Sequence, residues 1–109
     1  MNYPLDNPEQ KQETIDSVQY KRFDIKDHTI AVITLSDSTP TRIHFPPKPT
    51  ANFCRDFIIK IKATSETLPQ VHFVKADNDN SIGFEYADED WTTLEPGINY
   101  FTFTETERS

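Results

Sequence analysis

The sequence predicts an all-β protein: an antiparallel β-sandwich of about seven strands, jelly-roll or immunoglobulin-like, with an extended N-terminal arm. Three observations support this prediction. Apolar and polar residues alternate in several short segments, and turn-forming residues separate those segments. Bulky aromatic residues are abundant and flexible fillers are scarce, with 8 Phe and 4 Tyr against 2 Gly and 1 Met. At 109 residues the chain is expected to form one domain around one aromatic-rich core.

Residues 1–17 are predicted to form the arm, and residues 18–109 the sandwich domain. The arm segment contains two prolines, few apolar residues and no strand period. Asn7-Pro8 could begin a short helix, because Asn is a good N-cap and proline is tolerated at the first helical position. We expect the arm to lie on an adjacent subunit. Its deletion should then impair assembly and leave the thermal unfolding of the sandwich nearly unchanged.

The strands are expected to begin at Val18. The clearest one has Phe57, Ile59 and Ile61 on one face and polar residues on the other. Before the last strand, Pro96-Gly97 forms a turn pair, in which proline presets φ and glycine supplies a positive φ. The predicted spans are Val18–Ile25, His28–Leu35, Thr41–Phe45, Phe53–Ala63, Gln70–Lys75, Ser81–Tyr86 and Ile98–Thr104.

The charge of the chain is concentrated in one segment. Residues 76–97 carry seven acids and no base, a local charge of −7 that equals the net charge of the whole chain. Such an acidic patch repels phosphate backbones and anionic lipid, so neither nucleic acid nor a membrane surface is an expected partner. A basic protein surface or a cation fits better.

Sequence motifs of common enzymes are absent, so no enzymatic activity and no cofactor are predicted. His28, His44 and His72 lie on separate predicted strands and are expected to have structural or surface roles rather than to bind zinc. Cys54, the single cysteine, is expected to be buried and unreactive. Asp88, Glu89, Asp90 and Glu95 are carboxylates of one solvated turn, which does not supply the pair across a cleft that a glycosidase needs.

The acidic segment contains weak candidates for a calcium site. Asp77, Asp79 and Asp88 fall at positions 1, 3 and 12 of a calcium-loop template. The template requires Gly at its sixth position, where this chain has Ile82. A carboxylate-rich hairpin loop is therefore the preferred interpretation, and weak Ca²⁺ binding is the alternative.

Five residues are predicted to contribute to an interface or binding surface. Two of them, Tyr3 and Leu5, belong to the arm. Trp91 could form a platform for sugar stacking together with Tyr86 and Tyr100. A single Trp beside a strand is more often the plug at the end of a sandwich core, and this is the preferred interpretation of Trp91.

The carboxyl-terminal segment resembles the end of small β-modules encoded in prophages and phages of gut bacteria. The residues that carry the resemblance are Ile82-Gly-Phe-Glu-Tyr-Ala-Asp-Glu-Asp-Trp91 and Glu95-Pro-Gly-Ile-Asn-Tyr-Phe-Thr-Phe-Thr-Glu105. Similar segments occur upstream in similar order, at 35–38, 43–47, 55–58 and 69–74. The resemblance covers about Val18 to Glu107. It implies a virion component, such as a tail, collar, head-fibre or capsid-associated subunit, and identifies no binding residue.

The expected function is therefore that of a non-enzymatic structural or assembly component of a phage or phage-like particle. The resemblance implies synthesis in the bacterial host cytoplasm and contacts with other virion subunits, as a homo-oligomer or a hetero-assembly. Three alternatives are a carbohydrate-binding β-sandwich module, an acidic inhibitor that blocks a basic enzyme face, and a small hydrolase. Trp91 fluorescence that saturates with a glycan would favour the first of these.

Overall fold

The computed structural model describes residues 2–47, 54–76 and 91–106, with side chains described as far as residue 104. These residues form nine β-strands, and none of them belongs to a helix that is long and apolar enough to cross a membrane. The strands are β1 (Leu5–Asp6), β2 (Lys11–Ile15), β3 (Val18–Asp24), β4 (Thr29–Leu35), β5 (Thr41–His44), β6 (Cys54–Ala63), β7 (Gln70–Val74), β8 (Thr92–Thr93) and β9 (Gly97–Thr106).

The strands form two mixed sheets, which confirms the all-β prediction. Sheet I has the order β1-β4-β6-β9, and sheet II has the order β2-β3-β5-β7-β8. Purely antiparallel pairing, as in a jelly-roll or an immunoglobulin domain, is not confirmed, because four of the seven pairs are parallel: β1–β4, β4–β6, β3–β5 and β5–β7. The cause is the path of the chain, which passes to the other sheet at every step from β3 to β7. Strands β3, β5 and β7 therefore lie side by side in sheet II, and the strands that separate them in sequence, β4 and β6, lie in sheet I.

Six of the predicted strands are present, and their described boundaries differ from the predicted ones by one or two residues. Phe53, the predicted start of one of them, lies outside the described residues. The predicted strand Ser81–Tyr86 lies outside the described residues. Gly97 has a φ of 92°, which confirms the predicted turn at Pro96-Gly97.

One buried cluster contains residues of both sheets. Phe57, Ile59 and Ile61 on β6 are at most 1% exposed, as their alternation predicts. Aromatic rings meet across the two sheets at steep angles. Phe57 lies 4.8 Å from Phe45, the residue that follows β5, and Phe73 on β7 lies 5.1 Å from Phe103 on β9. Both sheets therefore contribute to one core.

The residues predicted to form an arm are extended, and they pair with both sheets. Leu5 and Asp6 form β1, which is parallel to β4 at the edge of sheet I. Strand β2 pairs with β3 at the edge of sheet II through a two-residue turn at Asp16-Ser17. Both turn residues have positive φ, 50° and 68°, as a type I′ hairpin requires. No helix begins at Asn7-Pro8.

Strand β6 begins with an exposed cysteine and a buried arginine. Cys54 is exposed, so the prediction that it is buried was wrong. Side chains alternate along a strand, and Arg55 rather than Cys54 shares the inward face with Phe57. Arg55 is 1% exposed and donates hydrogen bonds to the carbonyl oxygens of Pro46 (3.3 Å) and Pro47 (3.0 Å). A buried arginine therefore stabilises the loop that follows β5.

Candidate functional site

A row of basic residues crosses the outer face of sheet II. The strand register places Lys11 opposite Arg22, Arg22 opposite Arg42, and Arg42 opposite His72. The intervening residues of these strands, such as Ile43, point into the core. We call Lys11, Arg22, Arg42 and His72 the basic row. Like charges placed directly opposite each other destabilise a sheet, so this row requires compensation.

Glu13 on β2 provides part of that compensation. Its Oε1 accepts hydrogen bonds from Nε of Arg42 at 2.7 Å and from Nε2 of His44 at 3.1 Å. Its Oε2 lies 3.5 Å from Nη1 of Arg22. Partial burial alone would raise the pKa of Glu13, but the hydrogen bonds from His44 and Arg42 and the positive charge of Arg42 lower this pKa below its ordinary value.

Asp24 on β3 compensates the other end of the row. It accepts hydrogen bonds from Nε and Nη2 of Arg22, at 3.1 and 2.9 Å to Oδ1, and from Nζ of Lys11 at 3.0 Å. Burial acts to raise the pKa of Asp24, and the hydrogen bonds from Arg22 and Lys11 outweigh it, so that the pKa is lowered. Asp24 therefore stays ionised at neutral pH.

His72 forms a hydrogen bond with Arg42, its neighbour in the basic row. Nη1 of Arg42 lies 2.8 Å from Nδ1 of His72. Because a guanidinium can only donate hydrogen bonds, Nδ1 of His72 accepts this one. His72 is 6% exposed, although it lies on the outer face of its strand.

Trp91 covers this end of the row. Its ring lies 5.1 Å from the ring of His72 and stacks on the ring of Tyr20 at 5.8 Å and 23°. The guanidinium of Arg42 lies 6.0 Å from the Tyr20 ring, at the outer limit of a cation–π contact.

Trp91 therefore lies on the outer face of sheet II, and the prediction that it plugs the end of the core was wrong. Tyr20 was not predicted as a site residue, because only the strand register reveals that it lies on the same face of sheet II as Arg42 and Trp91.

The basic row borders a cleft of about 700 Å³, which we call the sheet II cleft. Its volume lies within the range of roughly 300–1,000 Å³ that is typical of small-molecule sites. Among the described residues, four permanent cations and two carboxylates line it, a charge of +2 when the histidines are neutral, in a chain of net charge −7. The lining side chains are Lys11, Glu13, Arg22, Asp24, Ile25, Arg42, His44, Phe45, Pro46, Pro47, Val74, Lys75 and Ala76.

The predicted interface residues are distributed over several surfaces. Tyr3 is half-buried and donates a hydrogen bond from its hydroxyl to Oδ2 of Asp56 at 2.6 Å. This bond raises the pKa of Tyr3 and lowers the pKa of Asp56. Leu5 on β1 is 70% exposed. Tyr100 is 65% exposed on β9 of sheet I, so it does not share a face with Trp91, and these two rings do not form one sugar platform.

The remaining candidates fall elsewhere. Tyr86, Asp77, Asp79 and Asp88 lie outside the described residues. Within residues 2–47, 54–76 and 91–106, no three His, Cys, Asp or Glu side chains are grouped as a metal site would need. His44 and His72 share the outer face of sheet II, whereas the ring of His28 lies 5.5 Å from that of Tyr3.

Strand β9 presents a second candidate surface. It has ten residues and pairs with β6 on one side, and among the described residues no strand lies on its other side. Ile98 and Tyr100 on its outer face are 52% and 65% exposed. Residues 97–104 contain no charge and no proline, the features that usually protect a long sheet edge.

Comparisons of the chain with protein-family models, with curated proteins and with solved structures found no match. None of these comparisons links the chain to phage proteins. The two candidate surfaces are interpreted below from their own geometry and charge.

Proposed function

We propose that the chain is a non-enzymatic assembly module that pairs with a second copy of itself through β9. In this proposal the two mixed sheets form a β-sandwich, and the module serves as a structural subunit of a phage or phage-like particle. The open edge of β9 is the observation that carries the self-pairing. The sequence resemblance supports the particle context.

The sequence of β9 suits pairing with itself. Antiparallel pairing about a two-fold axis at Phe101 would place Ile98 opposite Thr104 and Tyr100 opposite Thr102. Pairs of aromatic or aliphatic side chains with β-branched ones are favourable across strands. Because residues 97–104 are uncharged, two chains of net charge −7 can meet here without bringing like charges together. Sheet I of one copy and sheet I of the other, with four strands each, would then join into one sheet of eight strands.

The other sheet edges are less suited to assembly. Strands β1 and β8 have only two residues each. Strand β2 carries Lys11 and Glu13, which already bond to neighbours within the chain. Short strands and charged side chains are the usual means by which edges avoid pairing with other chains. This contrast singles out β9.

A double substitution, Tyr100→Lys with Thr102→Lys, tests the proposal. In the two-fold pairing it places lysines opposite each other, and we expect dimerisation to weaken by at least about tenfold in analytical ultracentrifugation. Val18→Lys with Gln19→Lys is the matched control, because it adds the same charge at exposed positions of β3. The control should dimerise like the wild type.

Circular dichroism of each variant shows whether the fold is intact. A wild-type chain that remains monomeric at every concentration would contradict the proposal. So would equal weakening of dimerisation in both double variants, because the effect would then depend on net charge rather than on β9.

A further inference from the structure

We propose that the sheet II cleft binds a small molecule through an oxyanion group: a carboxylate, a sulfate or a phosphate. This inference is independent of assembly through β9, because the cleft lies on the outer face of the other sheet.

The first argument is the charge of the cleft. Lys11, Arg22 and Arg42 are direct neighbours on three adjacent strands. Like charges in such positions repel each other and destabilise the sheet. Glu13 and Asp24 neutralise two of the four permanent cations in the lining. The described lining residues thus carry an excess of +2 in a chain of net charge −7, which is costly for the free protein and favourable once an anion is bound.

The second argument is the availability of hydrogen-bond donors. Arg42 uses Nε for Glu13 and Nη1 for His72, which leaves the two hydrogens of Nη2 without a partner among the described residues. Lys75 lines the cleft and forms no ion pair within the part of the chain that the structure describes. An ammonium and a guanidinium are the groups that most often bind oxyanions.

The third argument is preorganisation. Arg42 is held by Glu13 and His72, so its orientation is set before a ligand arrives. The lining of the cleft also contains Pro46 and Pro47, whose carbonyl oxygens accept hydrogen bonds from buried Arg55. A fixed donor and a fixed apolar wall in one cleft lower the entropic cost of binding a small ligand.

Size and charge select the ligand class. A cleft of about 700 Å³ accommodates a molecule of one or two sugar rings. An extended polyanion such as nucleic acid would also meet the acidic remainder of the chain, which opposes its binding. We therefore assign a compact anion, and the apolar wall favours one that carries a carbon skeleton.

The test is titration of the wild-type chain with sodium phosphate, sodium sulfate, sodium glucuronate and neutral glucose at constant ionic strength, followed by NMR. We expect saturable shifts of cleft resonances with at least one of the three anions and none with glucose. Tighter binding of glucuronate would identify an acidic sugar or related organic acid. Equal binding of all three anions would identify the oxyanion alone as the recognised group.

Two glutamine variants make the test specific. Lys75→Gln should weaken anion binding by about tenfold, the effect of one lost charge-assisted hydrogen bond. Lys62→Gln is the matched control: it makes the same charge change at an exposed position of β6 in sheet I and should leave affinity unchanged. The absence of saturable binding of any anion, or equal weakening in both variants, would overturn the proposal.

Discussion

At the scale of single residues, the carboxylate of Glu13 allows the basic row to exist. It reaches Arg42 and His44 with one oxygen and Arg22 with the other, so one side chain compensates cations on two strands. Glu13 is itself part of edge strand β2. The same contacts that neutralise the row therefore also stabilise the docking of that edge strand.

We expect Glu13→Gln to lower the free energy of unfolding by about 1–2 kcal/mol near neutral pH, because the amide keeps the shape and loses the charge. The pKa of Glu13 is lowered by folding, so its stabilising contribution is fully present above its ordinary value of 4.5 and is lost as the pH falls through the folded pKa. Urea unfolding of both proteins at pH 7 and at pH 3 measures the difference.

The expected difference between wild type and variant is largest at pH 7 and shrinks at pH 3. Glu9→Gln makes the same charge change at an exposed residue and should have an effect below about 0.5 kcal/mol. A difference between wild type and Glu13→Gln that is the same at both pH values would show that packing, rather than charge, is responsible.

At the scale of elements, β2 shows why part of the fold could not be predicted. Its sequence, Lys-Gln-Glu-Thr-Ile, contains one apolar residue and resembles a solvated tail. A strand at a sheet edge needs only one neighbour, and the outer-face positions of β2 hold Lys11 and Glu13, which pair with charges on sheet II. Strand β2 is therefore stabilised by polar contacts with other strands and lacks the apolar–polar alternation that made β6 predictable. The residues that form these contacts, Asp24 and Arg42, are known only from the tertiary structure.

Strand direction was also not predictable from the pattern. Alternation of apolar and polar residues is the same in parallel and antiparallel strands, and short connections favour the expectation of hairpins. Here the connection from β3 to β4, like those from β4 to β5 and from β6 to β7, passes from one sheet to the other. The length of a strand and its buried face were predictable, whereas its sheet and its neighbour were not.

The structure changes the expected result of deleting residues 1–17. The deletion removes β1 and β2 from the edges of both sheets, the hydrogen bond from Tyr3 to Asp56, and Glu13. We now expect the free energy of unfolding to fall by at least about 2 kcal/mol, and the melting temperature by roughly 8 °C or more, instead of remaining nearly unchanged. Differential scanning calorimetry measures both quantities.

The same deletion should leave dimerisation intact at temperatures where the shortened chain is folded. Strand β1 lies at one edge of sheet I and β9 at the other, so the deletion does not touch the proposed interface. An unchanged melting temperature together with lost assembly would instead support the original prediction of an arm that lies on an adjacent subunit.

At the scale of the whole molecule, the sheet II cleft depends on long-range register. Lys11 and His72 lie far apart in sequence, and they join one row only because β2, β3, β5 and β7 align in sheet II. The sequence predicted Trp91 as a candidate because a single Trp is conspicuous. Four basic residues scattered over four strands give no local signal, so the row could be found only from the structure.

The shared core predicts that both sheets unfold together. Phe57 belongs to sheet I and is 1% exposed, and its ring contacts Phe45 beside sheet II. We expect Phe57→Ala to lower the free energy of unfolding by about 3–5 kcal/mol, from lost burial and the cavity that remains. Trp91 fluorescence reports on sheet II, and far-UV circular dichroism reports on both sheets. Because one core links the sheets, the variant should shift the urea midpoint of both signals equally.

Thr102→Ala, at an exposed position of β9, is the control and should change stability by less than about 0.5 kcal/mol. If Phe57→Ala does not fold, Phe57→Leu leaves a smaller cavity at the same contact and permits the same comparison. A variant that shifts the circular dichroism midpoint and leaves the Trp91 midpoint in place would show that sheet II is stable without sheet I. That result would contradict the single core, because the rings of Phe45 and Phe73 would then have to remain packed without their partners on β6 and β9.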